Sequence, residues 1–550
     1  MSSTPTTWTD SQNLTRWRTW WVIGIFAIYA VVRLLAWKNT VLLEDTDSTS
    51  YLGYIRFFLS GLEFSKIVAL DPDFSPVYPV FATLFSLPGW SPETGARLCS
   101  YVFTLGLFWA VWGVGRRIAN DLELALGLLL LALSPTLISL APAVLTEPSY
   151  IAMVYGGLWL FLWQYKTPTL GKAALLGVVF GLSFLNRLEG LIFLAVIPFF
   201  QLLHWLIDKH RGYSLKHWAK WTLVFGVCFI VLIAPQIWRV SEKVGHFALN
   251  GRQIYSIILN NPDGKSLAGK IFGLDYSDSE PNIEYLRVHY EPVAKMAAKI
   301  PLSTYPVRFL KNISGFYRVE SAQLFGPLVI VFFAFGLLAM YLSARIYELL
   351  VALTFLGSTL VAPLLTPFMA RHFAIILPFV VLIAGIGIVY VARTLLENTR
   401  FRRYGSLLCF LFVGGALVLM APPIGKAVFT PPKFNDEYSL VELEKPVQLV
   451  QAIAADELHR VPVIVGERGW LALYSDSKQV YLPYTDLQHL VRYCELNSAD
   501  FLYFSYRRVL NHPFFAEYER SGLPKNFVLL YSGSDYQGSK VVLYRILPRS

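Results

Sequence analysis

The chain has 550 residues, 55% of them hydrophobic and only 15% charged, against about 25% charged in average soluble chains. That composition excludes a soluble globular protein of this size. The formal net charge of +10 does not point to nucleic acid, because much of the basic excess falls in short connectors between apolar runs, where it sets orientation.

About 20 mostly apolar residues cross a bilayer as helix, with every backbone polar group bonded internally. Eleven such spans are predicted, near residues 19–37, 92–114, 122–141, 147–164, 171–187, 190–207, 221–239, 323–342, 347–365, 372–391 and 404–423. The first lacks a small-residue cleavage site and exceeds a signal-peptide core, so it reads as a retained anchor. Arg16 and Arg18, Arg116 and Arg117, Lys166 and Lys172, Lys209 to Lys220, Arg345, and Arg393 to Arg403 mark alternate connectors. The positive-inside rule puts these in the cytoplasm. The N-terminus is then cytoplasmic and the C-terminus extracytoplasmic, in a cytoplasmic (inner) membrane.

Two long outer loops are expected, at 38–91 and 241–322. In the first, a short surface helix starts near Ser48, and "SPVYPVFATLFSLPGW" (75–90), about half a span long, reads as an in-plane or re-entrant helix. The second carries an amphipathic part with Lys295, Lys299, Arg308, Lys311 and Arg318, suited to lipid phosphates. After the proline-rich "APPIGKAVFTPPKFND" (421–436) the composition turns soluble. Helices around 440–458 and 486–496 and β-rich runs "VPVIVG", "QVYLP", "DFLYFS", "FVLLYS" and "KVVLYRIL" predict an α/β domain over 430–550, following a membrane domain over 1–429. That domain has no phosphate loop, nucleophile elbow or metal-ligand cluster. Cys99, Cys228 and Cys409 lie in apolar segments and Cys494 in the tail, a set with neither metal-ligand nor disulfide-framework spacing.

Ionisable residues near membrane depth are costly and mark functional sites. Here they gather on the outer side: Glu44, Asp45 and Asp47 in the first loop, Arg97, Glu147, Arg187, Glu189, Arg371 and His372 at span ends. A cavity lined by carboxylates and guanidiniums beneath outer loops suits chemistry on the outer leaflet.

With these residues the chain resembles the polyprenyl-phosphate-sugar-dependent membrane glycosyltransferases of the C-type fold, the group of protein O-mannosyltransferases and aminoarabinose transferases. The resemblance rests on "DTDSTSYLGYIRFFLSG", "SPVYPVFATLFSL", "GARLCS", "LTEPSY", "GLSFLNRLEGLIF" and "RHFAIILPF", in order across roughly residues 19–390. Departures are Glu44-Asp45-Thr46-Asp47 where many relatives have adjacent Asp-Glu, and Leu188 where they have proline. The resemblance implies transfer of a sugar, with inversion, from a polyprenyl-phosphate carrier to an extracytoplasmic lipid, glycan or protein acceptor. The family's acid-to-tyrosine spacing favours Asp47, with Tyr51, as the general base, a role compatible with capping the helix that follows. Asp45 is either a supporting group, a solvated loop residue or, with Asp47, half of a metal site. No cofactor is expected, and a divalent cation is the less favoured alternative.

Arg187, Arg371 and Arg97 are the expected donor-phosphate ligands, since guanidinium offers donors matched to phosphate; their alternative is snorkelling to headgroups. Glu147 and Glu189 bind sugar hydroxyls or pair with arginines, and His372 binds substrate or serves structure. Rival functions are a lipid-linked saccharide transporter with the same cavity but no base, and a polytopic ligase with a pyrophosphate donor.

Overall fold

A computed structural model of the chain describes residues 14–39, 46–61, 75–207, 214–244, 247–249, 304–315, 324–365, 370–397, 399, 401–429, 440–466, 469–482, 487–506, 522–534 and 540–548. The chain divides into two compact units. One comprises Met1–Thr40, Arg97–Ile233 and Pro306–Pro431, the other Val41–Ala96, Ala234–Tyr305 and Pro432–Ser550.

In chain order the helices are α1 (Leu14–Asn39), α2 (Thr46–Leu59), α3 (Val77–Ser86), α4 (Pro92–Ile118), α5 (Asp121–Ala132), α6 (Pro135–Leu140), α7 (Glu147–Gln164), α8 (Leu170–Asn186), α9 (Phe193–Ile207), α10 (Leu215–Val244), α11 (Thr304–Gly315), α12 (Pro327–Leu342), α13 (Ile346–Leu365), α14 (Leu377–Leu396) and α15 (Gly405–Phe429). Short 3-10 turns at Leu188–Ile192 and Ala370–Ile376 precede α9 and α14. Helix stands at all eleven positions expected of spans. Among the described residues six stretches are long and apolar enough to cross a membrane by length and composition: Trp20–Trp37, Pro92–Ile118, Leu188–Ile207, Leu215–Glu242, Arg371–Leu396 and Gly405–Phe429. Large apolar side chains such as Leu223, Val231, Trp238, Leu411 and Val418 are exposed on α10 and α15. Lipid is the solvent such faces require.

The expected span 122–141 is two helices rather than one, because Pro135 has no N–H to continue the ladder and takes the first position of α6 instead. Upstream, α5 starts with a reciprocal capping box: the Asn120 side chain accepts from the Glu123 N–H, and the Glu123 carboxylate accepts from the Asn120 N–H. Arg345 Nη1 joins Glu123 at 3.2 Å and the Ile118 carbonyl at 3.0 Å, tying two connectors expected to be cytoplasmic.

The first unit packs around α14, whose residues from Leu377 to Val389 are all buried. Its glycines explain the close fit. A Cβ on Gly387 would stand 1.8 Å from the Phe332 carbonyl of α12, and one on Gly385 would stand 2.3 Å from the Glu123 carbonyl of α5. Small residues let membrane helices approach until their backbones touch.

Arg33, in the apolar run "AVVRLLAW", went unremarked in the sequence and is fully buried. Its guanidinium lies 3.3 Å from the Tyr29 ring centroid and donates to the carbonyls of Ala132 (2.8 Å), Leu131 (3.2 Å) and Tyr29 (3.1 Å). The break before Pro135 leaves the last carbonyls of α5 without helical partners, and Arg33 supplies both donors and a positive charge at that negative end.

In the second unit α2 begins at Thr46, two residues before the expected start, which places Asp47 in its first turn. The segment expected as an in-plane or re-entrant helix is helical over α3, which buries Val77, Tyr78, Pro79, Ala82, Thr83 and Ser86. The Tyr51 ring of α2 meets the Tyr78 ring edge-on at 5.2 Å. Gly95, at the start of α4, lies so close to Ser86 that a Cβ there would overlap its Oγ. Most of the expected amphipathic outer loop, with Lys295, Lys299 and Arg318, lies outside the described residues. Its described part is α11, which from Pro306 on belongs to the first unit and exposes Val307 and Leu310.

The tail carries helices and a sheet, the elements expected of it. It contains α16 (Leu440–Ile453), β1 (Val463–Gly466), α17 (Trp470–Tyr474), β2 (Lys478–Tyr481), α18 (Leu487–Leu496), β3 (Phe501–Ser505), β4 (Phe527–Ser534) and β5 (Lys540–Ile546). The five-stranded sheet runs β2-β1-β3-β5-β4, parallel across its first three strands and antiparallel across the rest. The near-continuous apolar character of β1 and β3 is what a parallel core strand needs. Asp500 locks its end: the carboxylate accepts from the Val463 N–H at 2.9 Å and pairs with Arg460 at 2.8 Å.

Candidate active site

The residues "LTEPSY" and "NRLEGL" meet in the first unit because α7 and α8 are antiparallel neighbours joined by a short connector. Asn186, the last residue of α8, donates through Nδ2 to Ser149 Oγ at 2.7 Å. The next residue, Arg187, is extended, at φ −150° and ψ 139°. The chain then folds back in the 3-10 turn, where Gly190 bonds to the Arg187 carbonyl at 2.9 Å. Glycine is required there, since a Cβ would lie 2.4 Å from the Phe184 nitrogen.

Arg187 is thereby held between two carboxylates. Its Nη1 stands 2.8 Å from Glu147 Oε1 and 3.2 Å from Thr146 Oγ1, while Nη2 and Nε reach the two Glu189 oxygens at 2.9 and 3.4 Å. The Arg187–Glu189 contact is a two-point match that fixes the guanidinium plane. Arg371 reaches the same Glu147 oxygen through Nε at 3.3 Å. Glu147 is nearly buried, its side chain 4% exposed, so two guanidiniums converge on one carboxylate away from bulk water. His372 follows Arg371 in the same 3-10 turn.

Tyr155, which the sequence did not single out, positions the segment bearing Arg371. Its hydroxyl donates to the Ile375 carbonyl at 2.8 Å and accepts from the Phe379 N–H at 3.1 Å. These backbone groups flank Pro378, where the 3-10 turn becomes α14. Asn186 and Ser149 were also missed, and only their place inside the two motifs hinted at them.

Arg97 is placed differently. It donates to the Trp37 carbonyl and lies 4.9 Å from the Trp37 ring centroid, so its contacts join α4 to α1. Asp47 and Tyr51 belong to the second unit. Asp47 is half-buried in the first turn of α2, and Tyr51, one turn on, is buried against Tyr78. Asp45 and Glu44 lie outside the described residues. Among the described residues no group of three or more His, Cys, Asp or Glu side chains is arranged to hold a metal ion.

No protein-family model and no curated protein matches the chain. Solved structures do. The oligosaccharyltransferase AglB from Archaeoglobus fulgidus, in complex with an inhibitory peptide and a dolichol-phosphate, is 12% identical with a TM-score of 0.58, covering 95% of this chain and 74% of its own. The same organism's oligosaccharyltransferase in complex with Zn and sulfate has a TM-score of 0.60 at 12% identity and the same coverage. ArnT from Cupriavidus metallidurans bound to undecaprenyl phosphate is 13% identical with a TM-score of 0.53, covering 97% of this chain and 100% of its own. The chain therefore has the fold of the C-type membrane glycosyltransferases, as the sequence motifs implied.

Proposed function

We propose that the chain is an integral-membrane glycosyltransferase that moves one sugar from a polyprenyl-phosphate carrier to an extracytoplasmic acceptor with inversion. The convergence of Arg187 and Arg371 on buried Glu147 carries this reading, in a fold shared over nearly the whole chain with proteins solved bound to dolichol-phosphate and undecaprenyl phosphate. The proposed roles divide as follows. Arg187 and Arg371 stabilise the phosphate as the bond to the anomeric carbon breaks, because fixed guanidiniums in a water-poor site need little reorganisation as charge develops. Glu147 and Glu189 hold those guanidiniums in place. Asp47 takes the proton of the attacking acceptor hydroxyl or amine, and Tyr51 packs the helix that carries it. Arg97, whose contacts to Trp37 join α4 to α1, is the third proposed donor-phosphate ligand, and His372, next to Arg371 in the same 3-10 turn, is proposed to bind substrate.

The proposal keeps eleven crossings, a cytoplasmic N-terminus, and an extracytoplasmic domain over 430–550. It requires no divalent cation, since arginines neutralise the leaving monophosphate; Asp45 and Asp47 as metal ligands are the alternative.

The test is transfer by purified protein from a defined, radiolabelled polyprenyl-phosphate sugar, with and without exhaustive chelation. Appearance of label in a new product supports the reading. Label that crosses the bilayer of proteoliposomes while remaining on the carrier would replace it with a transporter. Activity lost to chelation and restored by magnesium or manganese would make the aspartates metal ligands.

A further inference from the structure

We infer that the tail domain fixes the position of α2, the helix carrying Asp47, through a joint at Arg56 and Gly469. Its catalytic consequence rests on the role proposed for Asp47; the joint itself does not.

The joint is built around the short helix α17. At its C-terminal end Arg56 Nη1 donates to the Leu473 carbonyl and stands 2.9 Å from Asp476 Oδ1. The last carbonyls of a helix lack helical partners and carry the negative end of its dipole, so a guanidinium satisfies them in both respects. The neighbouring Tyr474 carbonyl accepts from Gln451 Nε2 of α16 at 3.1 Å. Two elements therefore staple the same helix end. Asp476 follows in the left-handed region, at φ 51°, where the turn brings its carboxylate within reach of Arg56.

At the other end of α17, a Cβ on Gly469 would stand 3.3 Å from Thr49 Oγ1. Thr49 is buried and lies one turn or less from Asp47 on α2. The two helices thus meet at both ends of α17. Elsewhere α2 is backed by α3 through Tyr51 and Tyr78.

The ion pair itself is the least of these contacts. Asp476 is 79% exposed, and exposed pairs contribute little. The helix-end bond from Arg56 and the close approach at Gly469 hold the geometry, and the sequence shows neither, since both link residues several hundred positions apart. Arg56 is then a positioning residue.

The experiment uses the full chain in nanodiscs. Arg56→Ala and Gly469→Leu should each speed amide exchange across α2 and lower kcat, by up to about 10²-fold, the scale of a misplaced catalytic group. Donor KM and thermal unfolding should stay near wild type. Arg56→Lys, which can still reach the carbonyl, should recover part of the loss, and Asp476→Asn should do little. Wild-type exchange and kcat in both variants would overturn the joint. So would losses that appear only together with general destabilisation. Asp47→Asn run in parallel judges the base separately: if it remains active that assignment fails, while exchange in α2 still decides the joint.

Discussion

Arg187 lies 2.8 Å from Glu147 although the two are separated by the whole of α7 and α8. The pairing depends on Asn186 and Ser149 closing the two helix ends together, and it makes Glu147 the shared counter-ion of two arginines.

Removing that counter-ion should therefore cost more than a typical surface change. Truncating one partner of a buried ion pair costs about 3–5 kcal/mol, and Glu147→Ala strips both Arg187 and Arg371. The expected result is a clear drop in thermal unfolding temperature in detergent, with a smaller drop for Glu189→Ala, whose side chain is 27% exposed. Equal unfolding temperatures for Glu147→Ala and wild type would show that the arginines do not depend on it.

Asp47→Asn should spare the fold, since Asp47 lies inside the first turn of α2, where the substitution removes only a charge–dipole interaction of about 0.3–1 kcal/mol. Loss of the base should lower single-turnover transfer by about 10²–10⁴-fold with donor binding retained. Asp45→Asn should cost much less. The reverse order would move the base by two residues, and full activity in both would remove general-base catalysis from the proposal.

Much of this was legible beforehand, for a physical reason. Helix positions follow from apolar length, which the bilayer fixes, and the tail strands follow from apolar runs bounded by turns. Glu147, Arg187 and Glu189 stood out because charge beside an apolar span is rare. The same rule applies to Arg33 within the first span, whose partners are backbone carbonyls that no side-chain pattern marks. Tyr155, Asn186 and Gly387 were illegible, since a hydroxyl, an amide or a missing Cβ gains meaning only from the backbone it meets.

Gly387 gives a packing test with an internal control. A Cβ there would stand 1.8 Å from the Phe332 carbonyl, whereas one on Gly106 in α4 would meet nothing within 4 Å. Gly387→Ala should destabilise by about 1–3 kcal/mol through overpacking, and Gly106→Ala should stabilise by about 0.5–1 kcal/mol by removing helix-interior glycine. Thermal unfolding in one detergent decides it. Effects of the same sign would contradict the backbone contact.

Topology is open to labelling. Ser534, exposed on β4, should as Ser534→Cys react with an impermeant maleimide in intact cells. Native Cys494 should not compete, because it is fully buried and burial pushes its thiol pKa up, keeping it protonated and unreactive at neutral pH. Labelling of Ser534→Cys only after the membrane is opened would place the tail in the cytoplasm.

The Arg33 bond to α5 also bears on how the chain is made. The ribosome delivers α1 well before α5, so at first Arg33 enters the membrane without the Leu131 and Ala132 carbonyls that later receive it. A lone arginine at the centre of a membrane helix costs about 2.5–3.5 kcal/mol on insertion scales and less nearer the end where Arg33 lies, so insertion of α1 is less favourable until α5 arrives. Assembly therefore acquires a checkpoint. We predict that an arrest-peptide force profile will show a second pull on α1 as α5 enters the bilayer, and that Arg33→Leu will abolish that pull; a profile unchanged by Arg33→Leu would mean that α1 commits to the membrane alone.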